Sequence, residues 1–253
     1  MPTHEEELRR IEPVIVWLKR LALLGKTVVV RGREHVPREG PAILIANHPG
    51  AFKDVLTLFR IVPRPIFFNA NIQIFTREEF SALVLKHLRR HLGKLGTFFN
   101  FLFNPFKFLV VDFVSSNIAK IGTIPVNLVQ HGKREAVELG MDYLRRGRAI
   151  VSLQGRGRVD PKERNPYIKP FGRGAAIIAG RLHREEGLDV PVVPLAFYGT
   201  QLPWAIPGKI LVNIGTPIFA RDHFLGDFDA SVDRFKAALE ATVHRLFLDL
   251  IRP

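Results

Sequence analysis

The 253-residue chain contains no cysteine, which excludes disulfides, thiolate metal sites and a cysteine nucleophile, and fits a reducing compartment. It is short of acid: 24 Asp and Glu face 37 Lys and Arg, a net charge of +13. Such an imbalance calls for an anionic partner: nucleic acid, anionic lipid, a phosphorylated metabolite or an acidic carrier protein. No run of about 18 uncharged apolar residues occurs, so no membrane span is expected. The opening MPTHEEELRR begins acidic and the apolar stretch after it is cut by Lys19 and Arg20, which argues against a secretory signal. Repeats, low-complexity tracts and linkers are missing, so one domain over residues 1–253 is expected. Also missing are a Gly-x-Ser-x-Gly elbow, a Gly-x4-Gly-Lys phosphate loop and a His-Glu-x2-His metal helix. Without zinc-finger spacing or an aromatic RNP-like strand, net charge alone supports nucleic acid, and that branch is set aside.

What is present is an ordinary globular composition, 47% hydrophobic and 24% charged, in a chain long enough to bury roughly three quarters of its unfolded surface. Helical and β-branched segments alternate, predicting an α/β fold with a mostly parallel central sheet flanked by helices. Strands are expected at Lys26–Arg31, Ala42–Ala46, Pro65–Asn69, Gly122–Val126, Arg148–Leu153, Val190–Ala196 and Lys209–Ile214. Helices are expected at Asp54–Ile61, Lys133–Arg146, Gly174–Arg184 and Ala230–Ile251, the last with a stripe of Val232, Phe235, Leu239, Val243, Leu246 and Leu250. An amphipathic helix within residues 1–25 carries Ile11, Val14, Ile15, Leu18 and Leu21 on one side.

Residues 76–116 break the alternation. Lys86, His87, Arg89, Arg90, His91 and Lys94 come without an intervening acid, and seven of the 20 Phe residues lie between Phe98 and Phe113. Cations beside a Phe cluster suit an interfacial membrane element; the competing arrangement is a core helix pair with its Phe residues turned inward.

His48 and Asp54 are the residues best placed for chemistry. A strand end followed by Pro49-Gly50 brings an imidazole to the rim where a helix begins, and a nearby carboxylate fixes its tautomer and stabilises the imidazolium. The plain alternative is a turn or surface histidine. In the loop after Leu153, Arg156, Arg158, Lys162, Arg164, Lys169 and Arg173 outnumber Asp160 and Glu163. Guanidinium forks suit phosphate oxygens, although a charged loop is commonly just a solvated one.

The segment Gly40-Pro-Ala-Ile-Leu-Ile-Ala-Asn-His-Pro-Gly-Ala-Phe-Lys-Asp54 resembles the first signature block of the glycerolipid acyltransferases, the family of lysophosphatidic acid acyltransferase, in a His-x5-Asp spacing rather than His-x4-Asp. Gly122–Val126 resembles the second block, with Asn127 and Leu128 where an Arg is usual and Lys133 or Arg134 as substitutes. Ser152-Leu-Gln-Gly-Arg-Gly-Arg158 resembles the third, with Gln154 at the Glu position, Gly157 at the Arg position, and Arg156 and Arg158 flanking it. Val190–Leu195 resembles the fourth.

The resemblance implies O-acyl transfer without metal or cofactor. His48 would take a proton from an acceptor hydroxyl, which attacks the thioester of acyl-coenzyme A or acyl carrier protein, while Asp54 holds the ring. It further implies a lipid or phosphorylated alcohol acceptor, by default 1-acylglycerol 3-phosphate, contacted by Asn47, Gln154, Gly155, Arg156, Arg158 and Lys133 or Arg134. Its setting would be an anionic membrane surface on the cytoplasmic side, held peripherally or monotopically. The alternative is a non-catalytic basic membrane-binding relative.

Overall fold

The computed structural model describes residues 25–71, 123–126, 132–155, 157–162, 165–202 and 206–252, with isolated positions at 16, 23, 77–79, 81–82, 85 and 112. The chain divides into two compact units, residues 1–13 with 68–136 and residues 14–67 with 137–253. Apart from positions 16 and 23, the expected N-terminal helix lies outside the described residues, as does nearly all of 76–116. In the first unit, residues 68–71 of strand β3 (Ile66–Asn71) pair in parallel with β4 (Thr123–Val126), Phe68 opposite Thr123 and Asn71 opposite Val126. Arg77 and Asp112 form an ion pair in the same unit.

The larger unit is built from β1 (Lys26–Arg31), β2 (Ala42–Asn47), helix α1 (Phe52–Ile61), most of α2 (Gly132–Arg145), β5 (Ala149–Gln154), α3 (Gly174–Glu186), β6 (Val192–Tyr198), β7 (Gly208–Ile214) and α4 (Phe228–Ile251). Its strands lie in the order β1-β7-β6-β2-β5. β2 pairs in parallel with both β5 and β6, as β1 does with β7, whereas β6 and β7 are antiparallel. The reversal follows from chain length: residues 199–207 are fewer than the dozen or so that a parallel crossover needs. All six residues of β2 are buried, as its near-continuous apolar sequence requires of a strand covered on both faces.

Helix α4 packs on β6 and β7 and against α3. It starts on Asp227, whose carboxylate accepts from the Ala230 amide at 2.9 Å, satisfying one of the donors a helix start leaves open. Its buried stripe is Val232, Phe235, Leu239, Val243, Phe247 and Leu250. Phe247 takes the place expected for Leu246, which is half-buried; at 3.6 residues per turn the stripe advances by four after Val243 rather than by three. β2, β5 and β6 point their carboxyl ends to one edge of the sheet, where open α/β sheets place their ligands.

Candidate active site

At that edge β2 ends at Asn47, and four residues, His48 to Ala51, lead into α1. His48 Nδ1 lies 2.8 Å from Asp54 Oδ2, with the histidine side chain 20% exposed and the carboxylate fully buried. The same Oδ2 accepts the Gly50 amide at 2.8 Å, so the turn that carries the histidine is tied to the acid that orients it. Asp54 stands in the first turn of α1, where the helix dipole favours a negative charge. Because Oδ2 accepts, Nδ1 carries the ring proton in the neutral tautomer, leaving Nε2 as the basic nitrogen. Asp54 Oδ1 is buried without a hydrogen-bond partner among the described residues.

The wide His-Asp spacing is taken up by a tight turn. Lys53 N bonds Gly50 O at 3.1 Å and Ala51 adopts φ 50°, ψ −120°, the geometry of the first central residue of a type II′ turn, where glycine is favoured. Ala51 is the one non-glycine residue at positive φ among the described residues. Strain of this sort gathers where function fixes the backbone.

Neighbouring strands wall the turn. Asn47 is fully buried and its amide is spent on main chain: Oδ1 accepts Phe197 N at 2.7 Å, and Nδ2 donates to Phe197 O at 3.0 Å and to Tyr167 O at 3.3 Å. This joins β2 to β6 and to the loop after β5. Gly50 abuts Thr200 so closely that a Cβ there would sit 2.4 Å from the threonine Cβ. From β5, Gln154 lies in register with Asn47. Its Nε2 donates to Ser152 Oγ at 2.7 Å and its Oε1 accepts Gly172 N at 2.9 Å, closing the ends of the 155–172 loop. Gly155 (φ +135°) and Gly157 (φ +67°) pass the histidine at close range. A Cβ on Gly155 would lie 3.4 Å from His48 Cβ, and one on Gly157 would lie 3.2 Å from His48 Nε2 and 3.0 Å from Ala51 Cβ.

Asn47, His48, Asp54, Gln154 and Gly155 therefore meet at one place. Arg158 is half-buried and 3.7 Å from Asp160, which also takes Lys169 at 3.0 Å. The Lys169 hydrogen bond, with the Lys162 amide, holds the Asp160 carboxyl below its usual range, so two cations share one carboxylate in this loop. Arg156 and the side chain of Lys133 lie outside the described residues. Arg134 is exposed on the first turn of α2, in the smaller unit. Sequence reasoning passed over Lys53 and Thr200. Both are buried beside the turn, and only Lys53 carried a signal, a charge at a position that faces inward one residue before Asp54. Among the described residues no cluster of three or more His, Cys, Asp or Glu is placed to hold a metal ion.

Residues 27–91, which include His48 and Asp54, match a family model described as Acyltransferase. Among solved structures the chain is similar to the crystal structure of the 1-acyl-sn-glycerophosphate (LPA) acyltransferase, PlsC, from Thermotoga maritima. The TM-score is 0.58 and the identity 18%, covering 100% of this chain and 85% of that one; at that identity the likeness is one of fold. No curated protein matches the sequence.

Proposed function

We propose that this chain, a relative of the acyltransferases, moves a fatty acyl group from a thioester donor to the hydroxyl of a glycerolipid acceptor, with His48 as general base. The observation that carries the reading is the 2.8 Å contact between His48 Nδ1 and the buried Asp54 carboxylate. It leaves Nε2 as the basic nitrogen on an imidazole that keeps some exposure. Nε2 takes the proton of the acceptor hydroxyl as its oxygen attacks the thioester carbonyl. Asp54 stabilises the imidazolium so formed. The tetrahedral intermediate expels the thiolate, and the imidazolium returns the proton to sulfur, so no covalent enzyme intermediate is needed.

The default acceptor is 1-acylglycerol 3-phosphate, by analogy with the substrate in the name of the Thermotoga maritima enzyme. Arg158, half-buried near the excess of cations in the 155–172 loop, and Arg156 are the candidates for its phosphate. Acyl-coenzyme A or acyl carrier protein serves as donor. No helix among the described residues is long and apolar enough to cross a membrane, which suits peripheral or monotopic attachment to an anionic surface on the cytoplasmic side.

The test is thiol release from an acyl-coenzyme A, with and without 1-acylglycerol 3-phosphate. Acceptor-dependent release is expected, falling at least about a hundredfold in His48→Ala with an unchanged circular dichroism spectrum. Unchanged turnover in the folded variant would remove His48 from the chemistry. Release from neither protein under any acceptor would favour a basic membrane-binding relative.

A further inference from the structure

The loop after β5 sets a residue without a side chain against the basic nitrogen of His48. A Cβ on Gly157 would lie 3.2 Å from His48 Nε2 and 3.0 Å from both the Cα and the Cβ of Ala51. Gly157 has φ +67°, but that angle alone does not demand glycine, since asparagine and aspartate also visit the left-handed region. The contacts are more exacting. A methyl group here would press at once on the imidazole and on the turn before α1, and both are held. His48 is fixed by Asp54 at 2.8 Å, and the turn around Ala51 by the bond from Lys53 N to Gly50 O. Ala51 is exposed and His48 keeps 20% exposure, so the ring meets solvent beside the turn rather than being sealed in the core.

The same distances show what the bare position leaves open. A hydroxyl that gives its proton to Nε2 brings its oxygen about 2.6–3.2 Å from that nitrogen. The Cβ of any residue other than glycine at position 157 would stand at the outer edge of that shell and exclude the atoms that flank the oxygen on the loop side. A primary alcohol carries one carbon branch on its carbinol carbon and can swing it clear. A secondary alcohol carries two and cannot turn both away.

We propose that Gly157 is a specificity-determining residue, whose missing side chain keeps the approach to His48 Nε2 wide enough for a secondary hydroxyl. This deepens the reading of His48 as general base and rests on it.

The experiment compares 1-O-alkylglycerol 3-phosphate, whose free hydroxyl is secondary, with 2-O-alkylglycerol 3-phosphate, whose free hydroxyl is primary; the ether-linked chains cannot migrate between positions. Acceptor-dependent thiol release from an acyl-coenzyme A is measured for the wild type, Gly157→Ala and Gly157→Asn. Asparagine carries the same Cβ on a residue that tolerates the left-handed backbone, so it decides the matter if the alanine variant fails to fold. The wild type should acylate the secondary alcohol, and both variants should lose at least about tenfold in kcat/KM for it relative to the primary one.

A second readout needs no turnover. Diethyl pyrocarbonate, which carbethoxylates a free imidazole nitrogen, is followed at His48 by peptide mass spectrometry. With Nδ1 bonded to Asp54, the reagent meets Nε2. Its rate at His48 should fall several-fold in the variants while the other histidines react as before, and this rate decides if the wild type leaves the primary alcohol unused. Equal losses on the two alcohols, or wild-type labelling of His48 in a folded variant, would overturn the proposal, as would a wild type that acylates only the primary alcohol. His48→Ala in parallel separates the two readings. If it abolishes transfer while the Gly157 variants keep the wild-type preference, only the role of Gly157 falls; if it leaves transfer intact, the base itself is wrong.

Discussion

At the residue scale the site depends on the tight turn between His48 and Asp54. Gly50 meets Thr200 with no room for a Cβ and gives its amide to Asp54; Ala51 completes the turn at a backbone angle that suits glycine better. Holding an alanine there costs of order 1–3 kcal/mol, partly offset because glycine loses more freedom on folding. Ala51→Gly is therefore expected to stabilise the protein by about 1 kcal/mol, read as a higher urea midpoint at constant m-value. A lower midpoint would mean that the alanine methyl makes a contact worth more than the strain. Gln154 shows the other side of local chemistry. An amide donates and accepts at once, and here it does both, linking Ser152 Oγ to Gly172 N, whereas a carboxylate at that place would only accept.

At the element scale, α2 and α3 are joined at their exposed faces by ion pairs. Arg145 grips Glu186, with Nε 3.0 Å from Oε2, and Arg181 bridges Glu138 of α2 and Glu185 of its own helix. The arginine hydrogen bonds hold the carboxyls of Glu185 and Glu186 below the ordinary range in the folded state. A depressed native value means that the contribution to stability is present above the unfolded carboxylate range and is lost as pH falls through the native values. The groups are solvent-facing, so the effect is small and screened by salt. The thermal midpoint should drop less in Glu186→Gln than in the wild type between about pH 6 and about pH 3. An equal drop would show that the pair contributes nothing measurable.

At the scale of the whole molecule, the excess of +13 governs encounter with anionic partners more than it governs folding. If the acceptor is met at a lipid surface, binding to vesicles of phosphatidylcholine with phosphatidylglycerol should weaken several-fold when salt rises from about 0.1 M to about 1 M, where the Debye length shrinks from about 10 Å to about 3 Å. Salt-independent binding would instead assign attachment to apolar insertion. The described larger unit already exposes Phe52 and Ile206, one on the first turn of α1 and the other on the β6–β7 connection that Lys26 and Lys53 hold.

Local patterning made the strands and helices legible, because alternation and 3.6-residue spacing are properties of adjacent residues. β1 spans the expected Lys26–Arg31, and α3 begins where expected, at Gly174. The His48 and Asp54 pair was legible for the same reason, since six positions across a strand–helix turn are nearly a local distance. The closure of the site by Asn47 on Phe197 and by Gly50 on Thr200, and the burial of Lys53 beneath Leu202, join positions about 150 residues apart. By itself, then, the sequence determined which segments are strands and helices and which imidazole has an acid at hand. Only the tertiary structure decided what surrounds that pair, because burial and hydrogen bonding at the carboxyl edge are set by which strands of the sheet become neighbours, and no short-range periodicity carries that information.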